Sequence, residues 1–141
     1  MPSTILHDWA DGRAGQILRT IRVLGGMIGC EAKASMLAED LAAGVERVRQ
    51  AASSLPRRPR IYFEEWDDPL IAGIRWVGEI VEIAGGINCF PELSAMPLGR
   101  DRIIADPMEV VRRAPDMILG SWCGKKFRAA QVVARPGWSA V

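Results

Sequence analysis

The chain contains a single histidine, His7, and three cysteines, Cys30, Cys89 and Cys123, widely spaced and odd in number. That pattern excludes a CxxC-type zinc site and a disulfide scaffold, and each thiol reads as a small apolar filler. No apolar run approaches the roughly 20 residues that a membrane-spanning helix needs. The stretch from Met1 to Asp8 lacks a basic segment followed by an apolar one, so no export signal is expected. Neither sign of charge dominates: a formal charge of +1 gives no bulk argument for nucleic acid or a membrane surface. Aromatic residues make up only 6% of the chain, yet five are tryptophans. Two of these, Trp66 and Trp122, fall where strands are expected to end.

What is present suits one packed domain, since 49% of the 141 residues are hydrophobic. Thr4-Ile5-Leu6 reads as a strand end. Asp11 is placed to cap a helix with Ile17, Leu18, Ile21, Leu24 and Ile28 at helical spacing and Gly29 near its end. A second helix is expected over Glu31–Ala52, with a stripe of Ala34, Leu37, Leu41, Val45, Val48 and Ala52. At about 1.5 Å per residue it runs some 30 Å. The prolines of Ser53–Pro59 stop it. The arginines there lack interleaved aromatics, which favours a solvated turn over a phosphate site. Ile61-Tyr62-Phe63 reads as a short buried strand. Asp68-Pro69 reads as a helix start, with Leu70, Ile74, Val77, Val81 and Ala84 inward and Gly85-Gly86 at the end. Residues 91–105 form an irregular loop in this reading. Asp106 and Glu109 make a capping box for the next short helix. Met117-Ile118-Leu119 is a second buried strand, and a further helix covers about Lys125–Ala134. Alternating apolar strands and helices predict an α/β fold with a mostly parallel sheet.

Three clusters bear on chemistry. Glu64, Glu65, Asp67 and Asp68 flank Trp66. Paired carboxylates serve acid–base catalysis or hold a hard cation, but no calcium-loop spacing is present. Ligand or partner contact beside an indole is the simpler role. The segment Gly120-Ser121-Trp122-Cys123-Gly124-Lys125-Lys126 has glycines, a hydroxyl and lysines suited to an anion, without P-loop spacing. A Cys123 nucleophile lacks a neighbouring base in sequence. Glu92 and Glu109 are surface acids that solvation and capping explain.

The words YFEEWDDP, GGINCFPEL and RRAPDMILGSWCGKKF, in their order and spacing, resemble substrate-binding proteins of ABC importers of the vitamin B12 and iron–siderophore class. The resemblance implies the parallel-sheet C-terminal lobe of a two-lobed periplasmic binding protein fold with a helical backbone, preceded by a long connecting helix. Residues 1–56 then hold the end of the first lobe and the connecting helices, and residues 57–141 an incomplete C-terminal lobe. It further implies non-catalytic solute binding, with cobalamin or a related corrinoid held between lobes and a ferric siderophore or heme as the alternative ligand. Glu65, Trp66, Pro69, Ser121 and Trp122 would line the cleft. A membrane-embedded ABC permease would be the partner. Glu92 and Glu109 are the docking candidates, Glu109 lying one place beyond Met108, where the family carries its carboxylate. No metal site, cofactor or nucleic-acid partner is implied. The family works in the periplasm; without an export signal the cytoplasm is the alternative. Two other functions stay open: an interaction module without ligand, and an enzyme using the Glu64 and Glu65 carboxylates or Cys123.

The match begins near the final strand of the first lobe and stops before the last strand and closing helix of the second. A lone lobe of this kind is expected to expose apolar helix surface and an unpaired sheet edge. It should therefore form a homodimer, be poorly soluble, or take a chain carrying the missing lobe as partner. Size-exclusion chromatography with light scattering checks this, and a stable monodisperse monomer contradicts it.

Overall fold

The computed structural model describes residues 12–140. The strand end read at 4–6, His7 and the Asp11 cap lie outside the described residues. The chain divides into two compact units, Met1–Leu55 and Pro56–Val141.

In the first unit, α1 (Arg13–Met27) and α2 (Glu31–Ala52) form a helical hairpin. Gly29, at φ +70°, supplies the left-handed turn residue between them. The two helices meet through small side chains. A β-carbon on Gly25 would lie 2.2 Å from that of Ala34, so nothing larger than glycine fits there. Ala14, Gly15, Leu18, Ala34 and Ala38 are buried. Apart from Leu18, most of the larger apolar residues of the expected stripes, Ile17, Leu24, Ile28, Leu37, Leu41 and Val48, are exposed. Periodicity located the helices, while their contact surface is the small-residue face.

The second unit is built on β1 (Arg60–Asp67). One edge of β1 carries two partners in succession. Near its start, β3 (Ile87–Asn88) pairs in parallel, with Ile87 and Cys89 donating backbone N–H groups to Pro59 and Ile61. Near its end, β2 (Leu70–Ala72) pairs antiparallel. The other edge pairs in parallel with β4 (Met117–Gly120), in register from Ile61 opposite Met117 to Glu64 opposite Gly120. Period-two alternation sorts the β1 side chains. Ile61 and Phe63 face α3 (Arg75–Ile83), where β-carbons added to Gly73 or Gly86 would strike Phe63 and Ile61 at 2.9 Å. Tyr62 and Glu64 face the opposite way, into a core with Phe90, Val110, Trp122, Val132 and Trp138. The Tyr62 ring meets Phe90 and Trp138 edge-on, with centroids 5.5 and 6.1 Å away.

Three shorter elements complete the unit: α4 (Pro91–Ser94), α5 (Met108–Arg112) and α6 (Ala129–Val133). Asp116 fastens the start of β4 to that of β1. Its carboxylate accepts the Arg60 backbone N–H at 2.7 Å and an Arg57 N–H at 2.9 Å. Those bonds, the backbone one foremost, hold the carboxyl below its usual range.

Several expectations are corrected. Asp68-Pro69 starts no helix; it is the cis-linked turn of the β1–β2 hairpin. Leu70 and Ala72 are buried with Ile71 between them less so, a strand's alternation. The helix begins at Arg75, with Val77 and Val81 inward as expected. Residues 91–105 are organised by α4 and a 3₁₀ turn at Gly99–Arg102. Asp106 does accept the Met108 N–H at 3.0 Å, but Glu109 does not complete a capping box, because its carboxylate bonds Arg112 and Arg113 instead. β4 is an edge strand, half-exposed at Met117 and Leu119. The last helix starts at Ala129, because Gly124 at φ +74° turns the chain and Phe127 packs edge-on against Trp122.

Candidate functional site

β1 and β4 run in parallel, so their carboxyl ends lie together, and each releases its chain beside a tryptophan. This is where open α/β sheets place ligand contacts. The arrangement depends on Glu64, a fully buried carboxylate. A buried charge is tolerable only when paired and hydrogen-bonded. Here Arg135 donates two hydrogen bonds, at 2.6 and 2.8 Å, the Trp122 indole N–H donates one at 2.9 Å, and the Tyr62 hydroxyl donates one at 3.1 Å. Burial, followed by the adjacent Glu64 charge, pushes the Tyr62 phenol far above its usual pKa. Burial works against the Arg135 charge, yet the bonds to Glu64 outweigh it and the guanidinium titrates above its usual range. Arg135 also lies over the Trp138 ring, 4.6 Å from its centroid.

A bulge between Glu64 and Trp66 breaks the alternation. Glu65, next in line, forms a bidentate pair with Arg102 at 2.7 and 2.9 Å. Arg102 is buried, and its remaining N–H groups bond to the carbonyls of Ala72, Met96 and Pro97. It therefore ties the hairpin to the loop beyond α4. Arg102 carried no sequence motif; in Gly99-Arg100-Asp101-Arg102 nothing local separates it from its neighbouring arginine.

Trp66 is half-buried and donates its indole N–H to the Asp68 carbonyl at 2.9 Å. The Lys125 ammonium sits over its ring, 4.2 Å from the centroid, and 5.4 Å from that of Trp122. Lys125 is also ion-paired to Asp67; the oxygen it faces lacks hydrogen-bond geometry, although the ammonium holds the Asp67 carboxyl below its usual range. The two turns thus converge on one cation. The expected cleft residues separate accordingly. Pro69 and Ser121 are exposed, Trp66 is half-exposed, and Glu65 is engaged with Arg102. Trp122 is a correction. Its indole is buried at 6% exposure and bonded to Glu64, so it is anchored from beneath and only its margin borders a concavity shared with Lys125 and Lys126.

Two concavities flank this region. One, of about 470 Å³, runs along the hairpin turn past Pro69, Ile104, Met108 and Trp138. The other, of about 330 Å³, lies among Asp67, Trp122, Lys125, Lys126 and Arg128. The expected docking acids Glu92 and Glu109 both bind Arg113, at 2.6 and 2.9 Å. Cys89 is buried, which raises its thiol pKa and makes it a poor nucleophile. Among the described residues no group of three or more His, Cys, Asp or Glu side chains is placed to hold a metal ion.

Residues 2–141 match the model of the family described as periplasmic binding protein. The chain belongs to that family. Its backbone superimposes on a possible iron-binding (periplasmic solute-binding) protein of Staphylococcus epidermidis with a TM-score of 0.71 at 13% identity, covering 91% of this chain and 49% of that one. It also matches IsdE of S. aureus, solved with heme (TM-score 0.67, 18% identity, 89% of this chain and 50% of that chain). A third match is the periplasmic vitamin B12 binding protein BtuF of Vibrio cholerae (TM-score 0.60, 18% identity, 77% and 41%). The chain thus spans about half the length of these structures or less, and at such identity they establish the shared fold alone. Among curated proteins none matches. No helix among the described residues is long and apolar enough to cross a membrane.

Replacing Glu64 with glutamine should lower the free energy of unfolding by about 3 kcal/mol, because it strands Arg135 without its counter-charge. Glu65→Gln, at a carboxylate 37% exposed to solvent whose buried partner Arg102 keeps three carbonyl acceptors, should lower it by about 1 kcal/mol. Urea unfolding followed by tryptophan fluorescence measures both, and equal losses would contradict this ranking.

Proposed function

We propose that this chain supplies one wall of a solute-binding cleft for ABC-type import, without catalysis. A corrinoid such as cobalamin is the leading ligand. The convergence of the 66–69 and 121–125 turns on Lys125, at the shared carboxyl end of β1 and β4, carries this reading. A large, flat, amide-rimmed ligand needs an aromatic face, apolar cover and a few polar groups. Trp66, Pro69 and Ser121 offer these at the surface. Glu65 and Trp122 hold them from behind through Arg102 and Glu64. Lys125 rests on the Trp66 face while ion-paired to Asp67, so a ligand taking that face displaces the ammonium from the ring.

Residues 1–56 serve in this reading as the end of the first lobe and the connecting helices, and residues 57–141 as an incomplete C-terminal binding lobe. Glu92 and Glu109 remain the candidates for docking on the permease, and they would have to exchange Arg113 for an arginine of the partner. Heme or a ferric siderophore is the second ligand reading, supported by the fold shared with heme-binding IsdE. The family's compartment makes the periplasm the proposed location.

Titration calorimetry of the 141-residue chain with cyanocobalamin, hemin and a ferric siderophore tests the proposal. Saturable binding of cyanocobalamin is expected, weakened about tenfold by Trp66→Ala, which removes the aromatic cover. At 100 times Kd the ligand should add about 2.7 kcal/mol to stability. Absence of cyanocobalamin binding would overturn the corrinoid reading, and binding of hemin alone would replace it with the second.

A further inference from the structure

We propose that the α1–α2 hairpin is a dimer interface, on which the hairpin of a second copy of this chain stacks to complete an antiparallel four-helix bundle. In α1, Ile17, Ile21, Leu24 and Ile28 recur at spacings of four, three and four. In α2, Leu37, Leu41, Gly44 and Val48 repeat that spacing. This heptad spacing makes the seam by which helices pack on other helices. At about 100° per residue, the α1 seam lies about 90° round from the buried Ala14, Leu18 and Gly25, and the α2 seam about 60° round from Ala34 and Ala38 in the same sense. Helices that run antiparallel carry equal senses of rotation to the same side, so both seams share one face. That face is open: Ile21 and Gly44 are partly covered, and the other six residues are exposed. The hairpin does not use it to close, because α1 and α2 already meet through Gly25 and Ala34.

Three features select a second copy as the occupant. Heptad seams take helices of matching spacing, and this chain itself supplies two of them. No charged residue falls within either seam, so a two-fold axis sets apolar against apolar and the face is complementary to itself. A partner of strong charge finds nothing there to pair with. The area also suffices. Helices of 15 and 22 residues, at about 1.5 Å per residue and about 10 Å across, offer roughly 550 Å² per copy, or about 1,100 Å² over both, above the roughly 1,000 Å² of a specific interface. A two-fold axis along the helices gives each one antiparallel neighbours, the up-down order of simple bundles. None of this rests on the ligand reading. Of the fates open to an isolated lobe, it selects the homodimer and locates its contact.

Sedimentation equilibrium of the 141-residue chain should give twice the 15.5 kDa of one copy. Ile17→Glu and Leu41→Glu each place a carboxylate in one seam. Either should weaken the dimer at least about a hundredfold, because the two-fold axis buries two unpaired charges. Both residues are exposed in the single chain, so helix content by circular dichroism should hold. Val23→Glu and Met36→Glu are the controls. At 60% and 65% these positions are more exposed than Ile17 or Leu41, but they lie off the face, and the dimer should survive both. A monomer at high micromolar concentration would overturn the proposal and leave the face to a different chain. Open-ended aggregates would overturn it too, since a closed two-fold contact does not form them. A dimer that survives Ile17→Glu and Leu41→Glu, or that all four substitutions disrupt alike, would rule out this interface.

Discussion

A single buried carboxylate governs the second unit. Glu64 sits on the long central strand and is inaccessible to solvent, so the fold must surround it with donors or not form. Its four hydrogen bonds reach forward to residue 122, just past β4, and to residue 135, just past α6, as well as back to Tyr62. The Arg135 contact joins a segment that the sheet's own hydrogen bonding leaves separate. A hydrophobic residue at position 64 would leave Arg135 and the Trp122 N–H without partners. The polar network, and not apolar packing alone, sets where the two tryptophan-bearing turns meet.

The working surface follows from that support. Because Trp122 is anchored below, the loop after it brings Lys125 over the face of Trp66. Because Arg102 grips Glu65 and three carbonyls, the hairpin carrying Trp66 and Pro69 is tied down from the other side. Surface groups and the groups that hold them are thus adjacent in sequence: 65 with 66, and 121 with 122. Such rigidity suits the proposed binding role, since ordering loops at the moment of binding subtracts from affinity. The helical hairpin of the first unit has a different construction, with close backbone approach through Gly25 and Ala34.

Much of this was legible in the residues. Helical spacing located α1 and α2, apolar triplets located β1 and β4, and the Gly85 turn ended α3 where expected, at φ +84°. The errors share one cause. Asp68-Pro69 has the local chemistry of a helix start, but Leu70 and Ala72 gain more by pairing with β1, and tertiary pairing overrode the local signal. A similar limit applies to Trp122 and Glu64. A tryptophan and a carboxylate at strand ends, viewed singly, give no sign of each other. Their mutual hydrogen bond spans 58 positions, and no local pattern announces it. Arg102 and Arg135 were missed for the same reason. Each looks like an ordinary surface arginine until the buried partner, or the row of carbonyls, is in place.

The central claim is that Glu64 holds the Trp122 turn, and through it the Trp66 surface, in position. Hydrogen exchange at the Trp122 indole N–H, compared in the parent chain and in Glu64→Ala under conditions where both remain folded, tests it most directly. Slow exchange in the parent and a large acceleration in the variant, with a changed environment at Trp66, is the predicted result. Equal protection of the Trp122 indole in both proteins would contradict the account.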